Sequence, residues 1–106
     1  MQSNPRISFT KEAEDDITQI LQITGETWGQ TKQDEYLESF EAVFALLSDY
    51  PRIGTPYPAV FKDCRLRKVE RHYVVYRNLG NHIRIIRVVH VRADLQRYLA
   101  EVVDEI

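Results

Sequence analysis

The residue pattern predicts an α+β fold: an N-terminal strand, a two-helix hairpin packed on a mostly antiparallel four-stranded sheet, and a short C-terminal helix. Three observations predict it. Apolar residues recur at helical spacing through most of residues 10–50. A proline-rich break follows at 51–62. Beyond it, β-branched and aromatic segments succeed one another, the last two joined by Leu79-Gly80-Asn81, a hairpin turn. The 106 residues suffice for one domain with one core, and no repeat, low-complexity tract or linker divides them.

Residues 1–5 form a loose end. Arg6–Thr10 alternates polar and apolar, as a short strand does. Thr10 can cap the first helix, with Glu12, Glu14 and Asp15 in the first turn, where the helix dipole favours negative charge. Ala13, Ile17, Ile20, Leu21 and Thr24 make one buried stripe, and Gly25 is the expected stop. The second helix starts near Gln30, with Thr31 and Asp34 as a weak capping pair. Tyr36, Leu37, Phe40, Val43, Phe44 and Leu47 form its apolar face, and Pro51 ends it. A short link, Glu26 to Gly29, makes the helices antiparallel. The stretch 51–62 is expected as loop, because Pro51, Pro56 and Pro58 block helix and central strand alike. Strands are expected at Arg65–Glu70, Tyr73–Asn78 and His82–His90. In the last, Ile83 and Ile85 point one way and Ile86 and Val88 the other, which places it centrally in the sheet. Asp94 is the expected N-cap of a closing helix over 95–106, with Leu95, Leu99, Val102 and Val103 on one side.

A composition of 43% apolar and 28% charged residues is that of an ordinary globular protein. No apolar run approaches the roughly 20 residues of a membrane span. Residues 1–5 have neither the basic nor the apolar region of a secretory signal, so a cytoplasmic location without membrane contact is expected. The single cysteine, Cys64, cannot form an internal disulfide, which fits a reducing compartment. The net charge of −2 hides a division. Residues 1–50 hold three basic and ten acidic residues, whereas Lys62 to Arg92 hold nine basic and two acidic. Either one face meets an anionic partner, or helix carboxylates pair with strand arginines inside the fold.

The order strand, helix, helix, three strands, helix, at this length, resembles the RelE/ParE toxin fold. Local pieces carry the resemblance further. Trp28-Gly29 looks like the family's helix-hairpin turn, and Pro51-Arg52-Ile53-Gly54 like its P-x-I-G stretch. Arg65 followed by His72-Tyr73-Val74-Val75-Tyr76-Arg77 looks like its R…H-Y-x-x-Y-R core. Ile85 through Asp94 looks like its I-x-R-V-L-H-x-R-x-D signature. Thr55 stands where the family usually has an arginine, and Val89 and Ala93 replace a leucine and a larger residue. The ending His90-x-Arg92-x-Asp94 and the extra C-terminal helix are closer to the ParE branch. The resemblance therefore implies the toxin of a type II toxin–antitoxin system, neutralised by a cognate antitoxin, ParD-like or similar.

Conventional catalytic motifs are missing. His82 and His90 lie eight residues apart on one strand, roughly 26 Å, too far to share a metal. There is no H-x-x-x-H, C-x-x-C, G-x-x-x-x-G-K-[ST] or G-x-G-x-x-G pattern, so neither metal nor cofactor is expected. Cys64 has a basic neighbour, Arg65, that would lower its pKa, although a lone loop cysteine is more often a small filler. The RelE branch cleaves messenger RNA on the ribosome. For that alternative Arg65 and Arg87 are the candidate cations and His90 the acid–base candidate. The lysine-dense nuclease set is missing, and His90 is followed by Val91 rather than tyrosine. A structural role for His90, its ring bonded to backbone or to Asp94, is the other reading.

The ParE branch is taken to block DNA gyrase, trapping it on cleaved DNA, which asks for a surface and no catalytic residue. For that surface the candidates are Arg65, Arg67, Lys68, Arg92 and Arg97, with the tail 95–106. For the antitoxin, whose tail lays a helix over the hairpin and sheet in this family, the candidates are Ile20, Ile23, Trp28 and Tyr36. The alternative is that Trp28 plugs the end of the core. Operator DNA is expected as a partner only through the antitoxin.

Overall fold

A computed structural model of the chain describes residues 6–97 and 99. The elements are β1 (Ile7–Phe9), α1 (Lys11–Trp28), α2 (Gln30–Asp49), β2 (Thr55–Pro56), β3 (Cys64–Val69), β4 (His72–Asn78) and β5 (Ile83–His90). They form one mixed sheet in the order β1-β5-β4-β3-β2. Every pairing is antiparallel except β1 with β5. The expected four strands are present, and a fifth, β2, comes from the proline-rich loop. It is two residues long and sits at an edge, where Pro56 is tolerated because its missing N–H has no ladder partner to lose. Residues 95–97 and 99 are helical, and the Asp94 carboxylate accepts the Arg97 N–H at 3.3 Å, as an N-cap does. The loose end at 1–5 and the rest of the closing helix, with Val102 and Val103, lie outside the described residues.

Thr10 caps α1 as the pattern predicts. Its hydroxyl accepts the Ala13 N–H at 3.0 Å and donates to the Ile86 carbonyl at 2.7 Å, fastening the helix start to the sheet. Gly25 does not stop the helix. It lies where the Gln33 side chain of α2 comes close to α1: a Cβ there would stand 3.0 Å from it. The stop is Gly29, whose φ of 93° only glycine adopts without strain. Gly29 is therefore the whole link between the helices. It also stands at the N-cap of α2 with no side-chain cap, so Thr31 does not act as one.

The sheet separates two apolar clusters. Val69, Val74, Tyr76, Ile83, Ile85 and Val88 face the hairpin residues Ala13, Phe40 and Leu47. On the other face Cys64, Val75, Ile86 and Val89 pack with Leu99, Leu95 and the loop residues Tyr57, Val60 and Phe61. The expected grouping of Ile86 with Val88 is thus corrected. A bulge in β5, between the pairs Val75↔Arg87 and Tyr76↔Ile85, leaves Ile86 as an extra residue. The extra residue resets the alternation and returns Val88 to the side of Ile83 and Ile85. Tyr76 links loop and sheet. Its buried hydroxyl donates to the Pro51 carbonyl at 2.7 Å and accepts the Gly54 N–H at 2.9 Å. A Cβ on Gly54 would stand 2.5 Å from that hydroxyl, so the P-x-I-G stretch and the tyrosine form one unit.

Candidate interaction surfaces

The hairpin carries all ten acidic residues of the first half, on α1 and α2. Asp16 pairs with Arg87 on β5, one instance of the internal pairing raised above. Two further ion pairs, Lys11–Asp15 at 3.7 Å and Lys32–Glu35 at 3.5 Å, stay within their own helices. The four antitoxin candidates divide. Trp28 is 73% exposed and Ile23 52%, so Trp28 does not plug the core. Ile20 and Tyr36 are half-buried and pack against the hairpin-side cluster. Leu37, assigned to the inward face of α2, is 40% exposed instead. A groove of about 520 Å³ lies between the two helices, lined by Leu21, Gln22, Gly25, Glu26, Gln30 and Gln33; none of the four candidates lines it.

The basic candidates do not form one cluster. Alternation along β3 sets Arg65 and Arg67 on the hairpin side with Val69, and Lys68 on the opposite side with Cys64 and Leu66. Arg65 donates twice from Nη1, to the Arg52 carbonyl at 2.9 Å and the Gly54 carbonyl at 2.7 Å. Arg67 is half-buried, and its Nε has no acceptor among the described residues. Lys68, Arg92 and Arg97 are exposed. The last two flank Asp94 in the segment that brings Leu95 and Leu99 onto the far face.

A third feature was not foreseen. His72 and His90 stand opposite one another on β4 and β5, with ring centroids 5.4 Å apart. Counting back from the hairpin turn without a bulge would set His72 against Val89, so the bulge makes this pair. His90 Nδ1 accepts the Arg92 N–H at 3.1 Å, a backbone bond of the kind the structural reading expects, and the neutral ring then carries its proton on Nε2. His72 is half-buried and its Nδ1 has no partner among the described residues. Burial holds its pKa below 6.5, the neighbouring His90 adds to this, and Asp16 opposes it. The pair opens onto a cleft of about 200 Å³ that also touches Asp16, Gln19, Ile20 and Arg87. No third ligating side chain completes a metal set there among the described residues.

These distances bear on the ribonuclease alternative. Arg87 is held by Asp16 through two bonds, at 2.7 and 3.0 Å, and the same carboxylate accepts the Val88 N–H at 3.0 Å. The edge of β5 is thereby blocked by a helix side chain, and the guanidinium is committed. Arg65 lies two strands over and four residues along from the position facing the histidines, roughly 13 Å along the sheet. Arg87 and His90 thus share one cleft, but Arg65 does not reach it, so the three do not converge. Cys64 is the small filler that the sequence favours, and the acidifying effect of Arg65 does not prevail. Burial pushes its pKa up to about 11, with Asp63 adding to the rise, so the thiol is inert packing. Asp16 carried no separable signal in the sequence, being one acid among several in an acidic turn.

Comparison with known proteins adds a family. The model of the ParE toxin of type II toxin–antitoxin system, parDE, matches residues 7–95. Toxin ParE1 of Caulobacter vibrioides is 24% identical over 91 residues, which cover 86% of this chain and 94% of that protein. A solved structure of the chromosomal ParDE TA system from P. aeruginosa shares the fold with a TM-score of 0.68 at 19% identity, covering 81% of this chain and 95% of that one.

Proposed function

This chain belongs to the ParE toxin family of type II toxin–antitoxin systems, and on that premise we propose that it inhibits DNA gyrase by protein–protein contact in the cytoplasm and is neutralised by a cognate ParD-like antitoxin. The observation that carries the non-catalytic reading is the engagement of the would-be catalytic cations. Arg87 is held by Asp16, and Arg65 is anchored to two loop carbonyls well away from His90. In this reading the exposed Ile23 and Trp28 of the hairpin receive the antitoxin. Ile20 and Tyr36 pack inward against the hairpin-side cluster. The target meets Lys68, Arg92 and Arg97, with Arg65 and Arg67 reached from the other side of the sheet. Operator DNA is contacted through the antitoxin.

The test is pulse-labelling of DNA and protein synthesis in a bacterial host after the chain is induced without antitoxin. DNA synthesis is expected to fall first, with translation failing later. If translation stops first while DNA synthesis continues, the gyrase reading fails and ribosome-dependent RNA cleavage takes its place.

A further inference from the structure

We infer that the hollow between the loop after α2 and the start of β3 binds a phosphate of a nucleic-acid backbone. The hollow measures about 320 Å³ and is lined by Arg52, Lys62, Asp63, Arg65 and Asn78. Three cations thus reach it from three separate stretches of chain. Arg65 is fixed in place, since its Nη1 is tied to the carbonyls of Arg52 and Gly54, and these two bonds do not use the rest of its fork. The side chains of Arg52 and Lys62 make no hydrogen bond or ion pair among the described residues. The one carboxylate of the lining is already neutralised: Asp63 takes two bonds from Arg77, at 2.8 and 3.1 Å. Arg77 is in turn seated over the Phe61 ring, 4.2 Å from its centroid. Three like charges gathered around one hollow repel each other unless an anion from outside joins them.

The geometry favours phosphate over a carboxylate. An anchored arginine fork, beside a second guanidinium and an exposed ammonium, offers more donors than two carboxylate oxygens can use. A backbone phosphate is favoured over a free one because Arg52 sits in the chain between two exposed apolar residues, Tyr50 (62%) and Ile53 (41%), which offer surface to a sugar or base. The whole chain carries a charge of −2, so any attraction to nucleic acid has to come from a local site. The inference goes beyond the gyrase reading and is tested without it.

The test titrates a fluorescein-labelled short DNA duplex with the full chain, by anisotropy, over a series of salt concentrations. Wild type is compared with Arg52→Ala/Lys62→Ala, both exposed positions, and with Lys11→Ala/Lys32→Ala, which removes equal charge from the hairpin. For the hollow variant the slope of log affinity against log salt is expected to flatten by about 0.9, the value for one phosphate no longer neutralised. The hairpin variant should keep the wild-type slope, and inorganic phosphate should compete. Absence of duplex binding at low salt overturns the inference, as do equal slopes in the two variants. So does tighter binding of a polyglutamate peptide than of the duplex, which would make the ligand an acidic protein. Inorganic phosphate that shifts the Cys64 and Arg65 amide resonances while the duplex does not would overturn the nucleic-acid source.

Discussion

His72 and His90 face each other because one extra residue, Ile86, slips the register of β5 by one place. The sequence displayed both histidines and hid their pairing, since a bulge leaves no mark on local alternation. The consequence can be measured. Folding takes the His72 ring to a half-buried site beside a second imidazole, which lowers its pKa from 6.5. Above pH 6.5 the ring is neutral in both the folded and unfolded states, and stability is complete. As pH falls below 6.5 the unfolded chain takes up the proton first, so stability drops until the folded-state pKa is passed. Guanidinium unfolding of the wild type should therefore show a lower midpoint at pH 5.5 than at pH 7.5. His72→Gln should reduce that difference. An equal pH dependence in the two proteins would assign the loss to other groups. Tyr76 repeats the lesson without histidine chemistry. The tyrosine and Gly54 were both visible as pieces of a pattern, but only the fold shows that the hydroxyl fills the space a Cβ on Gly54 would occupy.

Elements were legible where their signals are local. The Thr10 cap, the two amphipathic helices and the β4–β5 hairpin all follow from neighbouring residues, and each is present at the place its pattern marks, the end of α1 excepted. Elements were illegible where a distant contact decides. Gly25 has the signature of a helix stop but serves the close approach of α2, and β2 exists only because β3 offers an edge to pair with. The hairpin itself supports a prediction. Ile23 and Trp28 project from α1 at high exposure, so neither contributes much to folding. Trp28→Ala should change unfolding free energy by less than about 0.5 kcal/mol, as surface substitutions do. It should weaken antitoxin binding about thirtyfold, the ~2 kcal/mol typical of a tryptophan at the centre of an interface. Calorimetric titration of the folded variant with the antitoxin measures this. Undiminished affinity would move the antitoxin off this face.

At the scale of the molecule, the sheet is a partition. Acidic helices cover one face, and the C-terminal segment and the 57–61 loop cover the other. The charge division was legible by counting residues. Its spatial meaning was not, because alternation along β3 sends Arg65 and Arg67 one way and Lys68 the other, splitting a run that looks continuous in sequence. A surface for the target on the C-terminal side and one for the antitoxin on the hairpin would then be separated by the thickness of the fold. Substitutions on one should leave the other nearly untouched, since distant sites without shared partners behave additively. Lys68→Glu/Arg92→Glu reverses two exposed charges on the target side without opening either apolar cluster. An anionic partner would meet repulsion at the point of encounter, so association would slow and killing would be lost. Affinity for the antitoxin should stay within about threefold of wild type. Colony survival after induction measures the first effect, and titration with purified antitoxin measures the second. Killing that persists in the folded double variant would remove Lys68 and Arg92 from the target surface. Loss of antitoxin binding with killing intact would reverse the assignment of the two faces.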